Sequence, residues 1–511
     1  MSSSPRTYSG VHVVSLLSVA LLGLIHLAYP FGGDQALFAV GARSMAKGAV
    51  LYRDFWDAKQ PAIYWFYVTA GKLLGFTEVG IHTFELLYML VFCVVLIFAL
   101  RPYFQIRHFS ALVPILTVGV YYGSGHNQLT QVESLVGLPM FLTAWFAADS
   151  VQREKASWLG LLLSGIFGGI VLLFKLFFLP IVGCFWAASC WWAFARHRHE
   201  PVKFLTSYIV PICLGLLISI GLTVAYFARI HDLANLIYAT WDFPREAARE
   251  LPWKQRIGQL LVGFQWFLDR FAPLLALGFV GAWASLRRSR DPLTINLVLW
   301  LGAGLFVIIL QRYSWWDYHY MLLFVPLGIL ASKGIEVLWI HLRDSGTSLA
   351  RPHLRFALVA ALVLLFSPIA SSWAMEALQL AHHHFALSAD DRIKLQGKID
   401  SYYATAHEEV GFLLLPDSLP GDIFVFGDPV FYLMSERNQA IPFNGWSPDT
   451  LLREQWKAVE KDLVRAQPPY LFVARDFEIS PAVIQLIGRK YDVLHTSPDG
   501  VWYILREAKR N

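Results

Sequence analysis

The chain is a succession of long apolar runs parted by short polar stretches, and the length of the runs is the first informative quantity. A helix that crosses a bilayer needs about 20 mostly apolar residues. Such runs recur at 11–29, 79–100, 110–123, 132–148, 157–174, 176–195, 204–228, 271–286, 293–310, 320–340 and 355–374, which predicts eleven transmembrane helices, the third and fourth being short. The first run follows a segment carrying Arg6 and ends in Tyr-Pro without a small-x-small cleavage pattern, so it reads as a retained first helix. Beyond Trp373 charge returns and the apolar runs shrink to strand length, as in Asp422-Ile-Phe-Val-Phe-Gly427, Tyr470-Leu-Phe-Val-Ala474 and Val501-Trp-Tyr-Ile-Leu505. Helical spacing of apolar residues at 449–465, and a second candidate helix at 481–490, complete a small α/β pattern. The expected fold class is therefore a polytopic α-helical membrane protein: a transmembrane domain over 1–374, with a first outer loop at 30–61, and a soluble α/β domain over 375–511.

Composition sharpens this picture. Hydrophobic residues make up 56% and charged residues 15%, with mean hydropathy +0.48, against roughly 45–50% and 25% in soluble proteins. Most of the chain must face lipid. Its 19 Trp, 21 Tyr and 37 Phe suit the boundary between hydrocarbon and headgroups. A net charge of +5 without a concentrated basic stripe argues against nucleic acid as a partner. All four cysteines, Cys93, Cys184, Cys190 and Cys213, lie in apolar runs and suggest neither a disulfide nor a zinc framework.

Lysine and arginine also orient the chain. With a cytoplasmic N-terminus, the short inner loops hold Arg101 and Arg107; Arg153 and Lys155; Arg196, Arg198 and Lys203; Arg287, Arg288 and Arg290; and Arg343, Arg351 and Arg355. The loops near 30–61 and 229–270, and the C-terminal tail, then fall outside. The second of these loops mixes Arg245, Glu246, Arg249 and Glu250 with Trp241, Trp253 and Trp266, which suits an interfacial helix.

The first outer loop carries the densest chemistry: Gly32-Gly-Asp-Gln35, Arg43-Ser-Met-Ala-Lys-Gly48 and Tyr52-Arg-Asp-Phe-Trp-Asp-Ala-Lys-Gln-Pro61. Asp34, Asp54, Asp57 and Lys59 thus stand at one membrane surface, just before an aromatic segment, 62–76, that suits the interface. Transfer of a sugar from a lipid phosphate needs a carboxylate to accept the proton of the attacking hydroxyl and a cation to stabilise the leaving phosphate. An inverting transfer needs one such carboxylate, a retaining one a second as nucleophile. The plainer reading is that Asp34 starts a helix and the rest are solvated loop charges.

These stretches resemble the first outer loop of the C-type (GT-C) glycosyltransferase superfamily, in the bacterial branch that is similar to protein O-mannosyltransferases and the lipid A aminoarabinose transferase. The resemblance implies a membrane enzyme that moves a hexose or pentose from a polyprenyl-phosphate carrier to a lipid, glycan or protein. It implies that Asp34 activates the acceptor, that Lys59 lies near the donor phosphate and that Asp57 takes the place of a second acid. Here the chain departs from the pattern: Ala58 separates Asp57 from Lys59, and Gln35 follows Asp34 where Glu is common. No cofactor is required, and a divalent cation near the loop acids is compatible with the reading.

Two further outer segments qualify. Gly123-Ser-Gly-His-Asn-Gln128 leads to Glu133, which offers either substrate orientation, with His126, or helix-start stabilisation. Arg312-Tyr-Ser-Trp-Trp-Asp-Tyr-His-Tyr320 joins cations and aromatics as interfacial anchors do, and the family resemblance implies that Arg312, His319 and Tyr320 neighbour the donor phosphate. Lys175, the one charge within a long apolar stretch, reads as the turn of a short outer hairpin. His382-His-His384 does not read as a metal site, because consecutive helical positions point about 100° apart. Gly165 and Gly169 have the spacing of tight helix packing. The competing classes are a polysaccharide ligase or polymerase using a diphosphate-linked donor, a lipid-linked sugar flippase or transporter, and a membrane scaffold.

Overall fold

A computed structural model describes residues 5–152, 157–197, 199–250, 257–289, 291–311, 315–344, 371–447 and 450–506. The run at 355–374 falls almost entirely outside these. Among the described residues seven helices are long and apolar enough to cross a membrane: Glu78–Tyr103, Val132–Gln152, Leu176–Ala195, Pro201–Arg229, Ile257–Arg288, Pro292–Leu310 and Asp317–Arg343. Two shorter apolar helices, Gly10–Ile25 and Trp158–Phe174, match further runs.

Two boundaries differ from expectation. Residues 110–123 belong to a helical stretch that passes through a 3-10 turn, Arg107–Ala111, and a π turn, Ile115–Gly119. Pro114 lacks the N–H for a regular turn there, and a π turn is a common way to absorb that gap. The run at 271–286 is the second half of a 33-residue helix, Ile257–Ser289. Gln265, Asp269, Arg270 and Pro273 interrupt its hydropathy without ending the helix, so this portion of the expected 229–270 loop is helical span.

The chain divides into two compact units. The first comprises residues 1–26, 85–225 and 253–378. Its helices approach backbone to backbone at glycines. A side chain at Gly165 or Gly169 would strike the Val210–Arg229 helix at the Ile212 carbonyl or Ser219, as the GxxxG spacing predicts. Gly281 and Gly334 do the same for Ile257–Ser289 against Phe324–Asp344. Around these contacts Trp300, Leu297, Val325, Leu330 and Phe141 are fully buried.

The second unit comprises residues 27–84, 226–252 and 379–511. Its sheet has the order β1-β2-β4-β3, with β1 Phe424–Phe426, β2 Tyr470–Ala474, β3 Tyr491–Thr496 and β4 Gly500–Leu505. β1 and β2 are parallel and joined through the helix Arg453–Ala466; β4 runs antiparallel to both β2 and β3. Phe431, Phe472 and Trp502 pack with tilted rings beneath the sheet, centroids 4.6 and 5.0 Å apart, and burying a large aromatic contributes about 2–3 kcal/mol. β1, β2 and β4 lie where their apolar runs predict them. β3 is an edge strand whose Val493 is exposed, and it has no such run.

Candidate active site

The first loop is built from its turns. Gly32 is extended (φ −88°, ψ 171°) and its N–H donates to Gln35 Oε1 at 2.5 Å, so the helix Gly33–Ala46 begins with Asp34 in its first turn. A carboxylate there faces the positive end of the helix dipole. Farther on, Tyr52 adopts a left-handed conformation (φ 75°), and its N–H donates to the Phe55 carbonyl at 2.6 Å, folding 50–56 into a tight knot. The Tyr52 hydroxyl donates to the Lys59 carbonyl at 2.9 Å and fixes the backbone that carries the lysine.

This construction brings together three of the residues singled out in the sequence. Lys59 Nζ stands 3.6 Å from Asp34 Oδ2, and the carboxylate side chain is only 7% exposed. The Lys59 ammonium also lies 5.7 Å from the centre of the Phe38 ring. Asp57 is buried beside them and accepts a hydrogen bond from the Tyr64 hydroxyl at 2.7 Å. Burial pushes the Asp57 carboxyl above the usual carboxylate range, against the pull of Lys59 and Tyr64, while Asp34 adds to the upward push. The loop therefore holds one pair of opposite charges beside an acid that burial drives toward its neutral form. Asp54 stands apart from this cluster: Arg53 binds it at 2.8 Å and lowers its pKa, and its Oδ2 accepts the Val50 N–H.

Sequence reading missed the tail's part in this unit. Trp56 N–H donates to the Pro442 carbonyl at 2.8 Å, Asn444 Nδ2 donates to the Trp56 carbonyl, and Arg43 reaches the carbonyls of Tyr432 and Arg437. The Trp446 ring lies so close against Gly33 that no side chain fits at that position. Glycine next to Asp34 is the one trace of this contact in the sequence.

The membrane unit has its own buried polar cluster, and Lys175 is at its centre. Its extended backbone (φ −163°, ψ 118°) interrupts the helix as a turn residue would. Its side chain does more than the hairpin reading foresaw: Nζ donates to Glu133 Oε1 at 2.7 Å and to Gln311 Oε1 at 2.5 Å, deep in the unit. His319 Nε2 lies 3.8 Å from the same Glu133 oxygen. Glu133 thus does more than start the Val132–Leu135 turn, since its carboxylate is 1% exposed and matched to a cation. Charged groups inside an apolar bundle are costly and mark functional sites.

Of the other candidates in this unit, Tyr320 is committed to packing: its hydroxyl donates to the Leu260 carbonyl at 3.3 Å and its ring stacks on Phe267 at 5.2 Å. These contacts add no support to its expected place beside the donor phosphate. Arg312 lies outside the described residues. His126 opens a 3-10 turn, His126–Gln128, whose surroundings are pinned by Arg270 on the carbonyls of Gly123 and Ser124 and by Gln128 on Asp317. Among the described residues no three His, Cys, Asp or Glu side chains gather closely enough to hold a metal ion.

Comparison with known protein families finds no match, and comparison with curated proteins finds no relative. Solved structures are similar. ArnT from Cupriavidus metallidurans bound to undecaprenyl phosphate superposes with a TM-score of 0.60 at 14% identity, over 98% of both chains. The same protein in its apo state gives 0.58 at 14% identity, again over 98% of each. AglB from Archaeoglobus fulgidus, an archaeal oligosaccharyltransferase in complex with an inhibitory peptide and a dolichol-phosphate, gives 0.49 at 11%, over 91% of this chain and 69% of its own. At 14% identity the likeness to ArnT speaks to the fold, and over nearly the whole length this chain has the ArnT fold.

Proposed function

We propose that the chain is a membrane glycosyltransferase that moves a hexose or pentose from a polyprenyl-phosphate donor to a hydroxyl of a lipid, glycan or protein, with inversion, at the outer face of the cytoplasmic membrane. The observation that carries this reading is the Asp34–Lys59 pair, an acid and an amine 3.6 Å apart at a buried helix start. The acceptor hydroxyl attacks the anomeric carbon as the bond from that carbon to the phosphate oxygen breaks. Asp34 takes the hydroxyl proton, and Lys59 offsets the charge left on the departing polyprenyl phosphate. Asp57 keeps the loop in shape through Tyr64, and burial raises its pKa, which weakens it as a second anion beside the lysine. An inverting transfer needs only one carboxylate as base, and Asp34 is placed to supply it.

The cluster of Glu133, Lys175 and His319 is assigned to orienting the lipid-linked donor, with Arg312 and His126 as further substrate contacts. The fold supports the donor class, because the similar ArnT structure is bound to undecaprenyl phosphate. The chemistry runs on side chains and calls for no cofactor; a divalent cation would add to it. The short basic loops support an outer position for the first loop and the tail.

A lipid-linked sugar transporter would also use the buried Glu133–Lys175 pair. Purified protein in detergent separates the readings, because there is no membrane to cross. Transfer from a polyprenyl monophosphate sugar in that setting is the expected result. Transfer from a soluble nucleotide sugar alone, or no transfer from any lipid-linked donor, would overturn the proposal. Mass spectrometry of surface glycolipids and glycoproteins after deletion of the gene then names sugar and acceptor.

A further inference from the structure

Within the membrane unit, five helices begin or end around a cavity of about 670 Å³. The helices Glu78–Leu100, Gly137–Gln152, Ile257–Ser289 and Phe324–Asp344 contribute their C-terminal portions, and Pro292–Leu310 contributes its start. This is the end of the bundle that Arg101, Arg287, Arg288 and Arg343 assign to the cytoplasmic side. The volume is that of a small-ligand site.

Several of its polar groups are already engaged. Lys333 donates to Glu336 at 2.6 Å and to the Tyr103 carbonyl at 2.9 Å, and Glu336 accepts the Ile106 N–H, so this pair anchors the turn after Glu78–Leu100. Asp291 caps its own helix through Thr294 and accepts from Gln152 at 2.7 Å. Arg288 and His341, by contrast, line the cavity and make no hydrogen bond or ion pair with any described residue. Asp149 lines it as well.

We infer that this cavity binds a head group that joins a phosphate to a primary ammonium, as in an aminophospholipid. Arg288 presents the planar donor fork that suits phosphate oxygens, with His341 beside it. A purely anionic head group fits poorly: Lys333 is taken up by Glu336, and Asp149 and Asp291 stand on the wall with Arg288. Four helix C-termini add the negative ends of their dipoles, which favours a cationic group next to Asp149. A primary ammonium gives hydrogen bonds to carboxylates and carbonyls, whereas a quaternary one has none to give. Leu293, Val337 and Trp145 supply apolar wall for the first carbons of a lipid.

The test uses the delipidated full chain in detergent, titrated with phosphatidylethanolamine, phosphatidylglycerol or phosphatidylcholine and read by native mass spectrometry. The ethanolamine lipid is expected to bind about tenfold more tightly than either other lipid, a difference of about 1.4 kcal/mol. Asp149→Asn should erase that preference, whereas Arg288→Gln should weaken all three lipids alike, and the exposed Arg288 can be replaced without disturbing the core. Glycerophosphoethanolamine, which has no acyl chains, distinguishes the sources: equal binding assigns the site to a free head group, and binding by the lipid alone assigns it to the bilayer. Equal affinity for all three lipids, or an ethanolamine preference that survives Asp149→Asn, would overturn the inference.

Discussion

Lys59 holds its ammonium 3.6 Å from the Asp34 carboxylate because the Tyr52 hydroxyl fixes the lysine's backbone while Gly32 and Gln35 fix the start of the aspartate's helix. Two separate turns therefore set one distance, and neither side chain needs a long search to find the other. Lys59→Met should lower the transfer rate by about 10²–10³, the usual loss when a preorganised charge partner is removed. Lys59→Arg should recover part of it. A transfer assay at saturating donor decides: an unchanged rate for Lys59→Met would remove the lysine from the chemistry.

Lys175 and Glu133 form a buried pair in which each charge needs the other. Lys175→Met strands the carboxylate and should cost about 3–5 kcal/mol of stability. The double variant Lys175→Met, Glu133→Gln should recover most of that loss, because no charge then remains uncompensated. Thermal unfolding of the four proteins in detergent gives the cycle, and additive losses would contradict a direct pair.

Tyr320 supplies a contrast. Its hydroxyl serves only the Leu260 carbonyl among the contacts seen, so Tyr320→Phe should cost no more than about 1 kcal/mol and leave the transfer rate nearly unchanged. A large drop in rate with intact folding would return this residue to the donor site.

The tail carries a titrating group of its own. Burial pushes the Asp428 carboxyl up to about 6, although it caps Val430 at 2.9 Å. Because the folded pKa lies above the unfolded one, the group's contribution is fully present below about pH 4 and is lost as pH rises through 6. The size is roughly 1–2 kcal/mol, since the side chain keeps some solvent. Asp428→Asn should remove that slope from the melting temperature of the full chain between pH 4 and 7, and an unchanged slope would place it elsewhere.

These residues also show what the sequence made legible. Spans such as Pro292–Leu310 stand out because lipid demands an unbroken apolar run, and β2 and β4 because their runs match strand length. The helix from Ile257 was hidden by Asp269 and Arg270, which hydropathy scores as loop although the backbone keeps its helical bonds. Lys175 was read as a turn and no more, because hydropathy sees a charge and a turn but not the carboxylate 42 residues away that matches it. Asp34, Asp57 and Lys59 were found because they lie close together in sequence. Trp446 was not, because its place against Gly33 is set by tertiary packing alone.

The rate of sugar transfer by Asp34→Asn tests the account most directly. The substitution keeps the size of the side chain and removes its basicity, so thermal unfolding should change little. Transfer from a polyprenyl monophosphate sugar should fall by about 10²–10⁴, the range a general base contributes. A folded Asp34→Asn protein that transfers sugar as fast as the unaltered chain would contradict it.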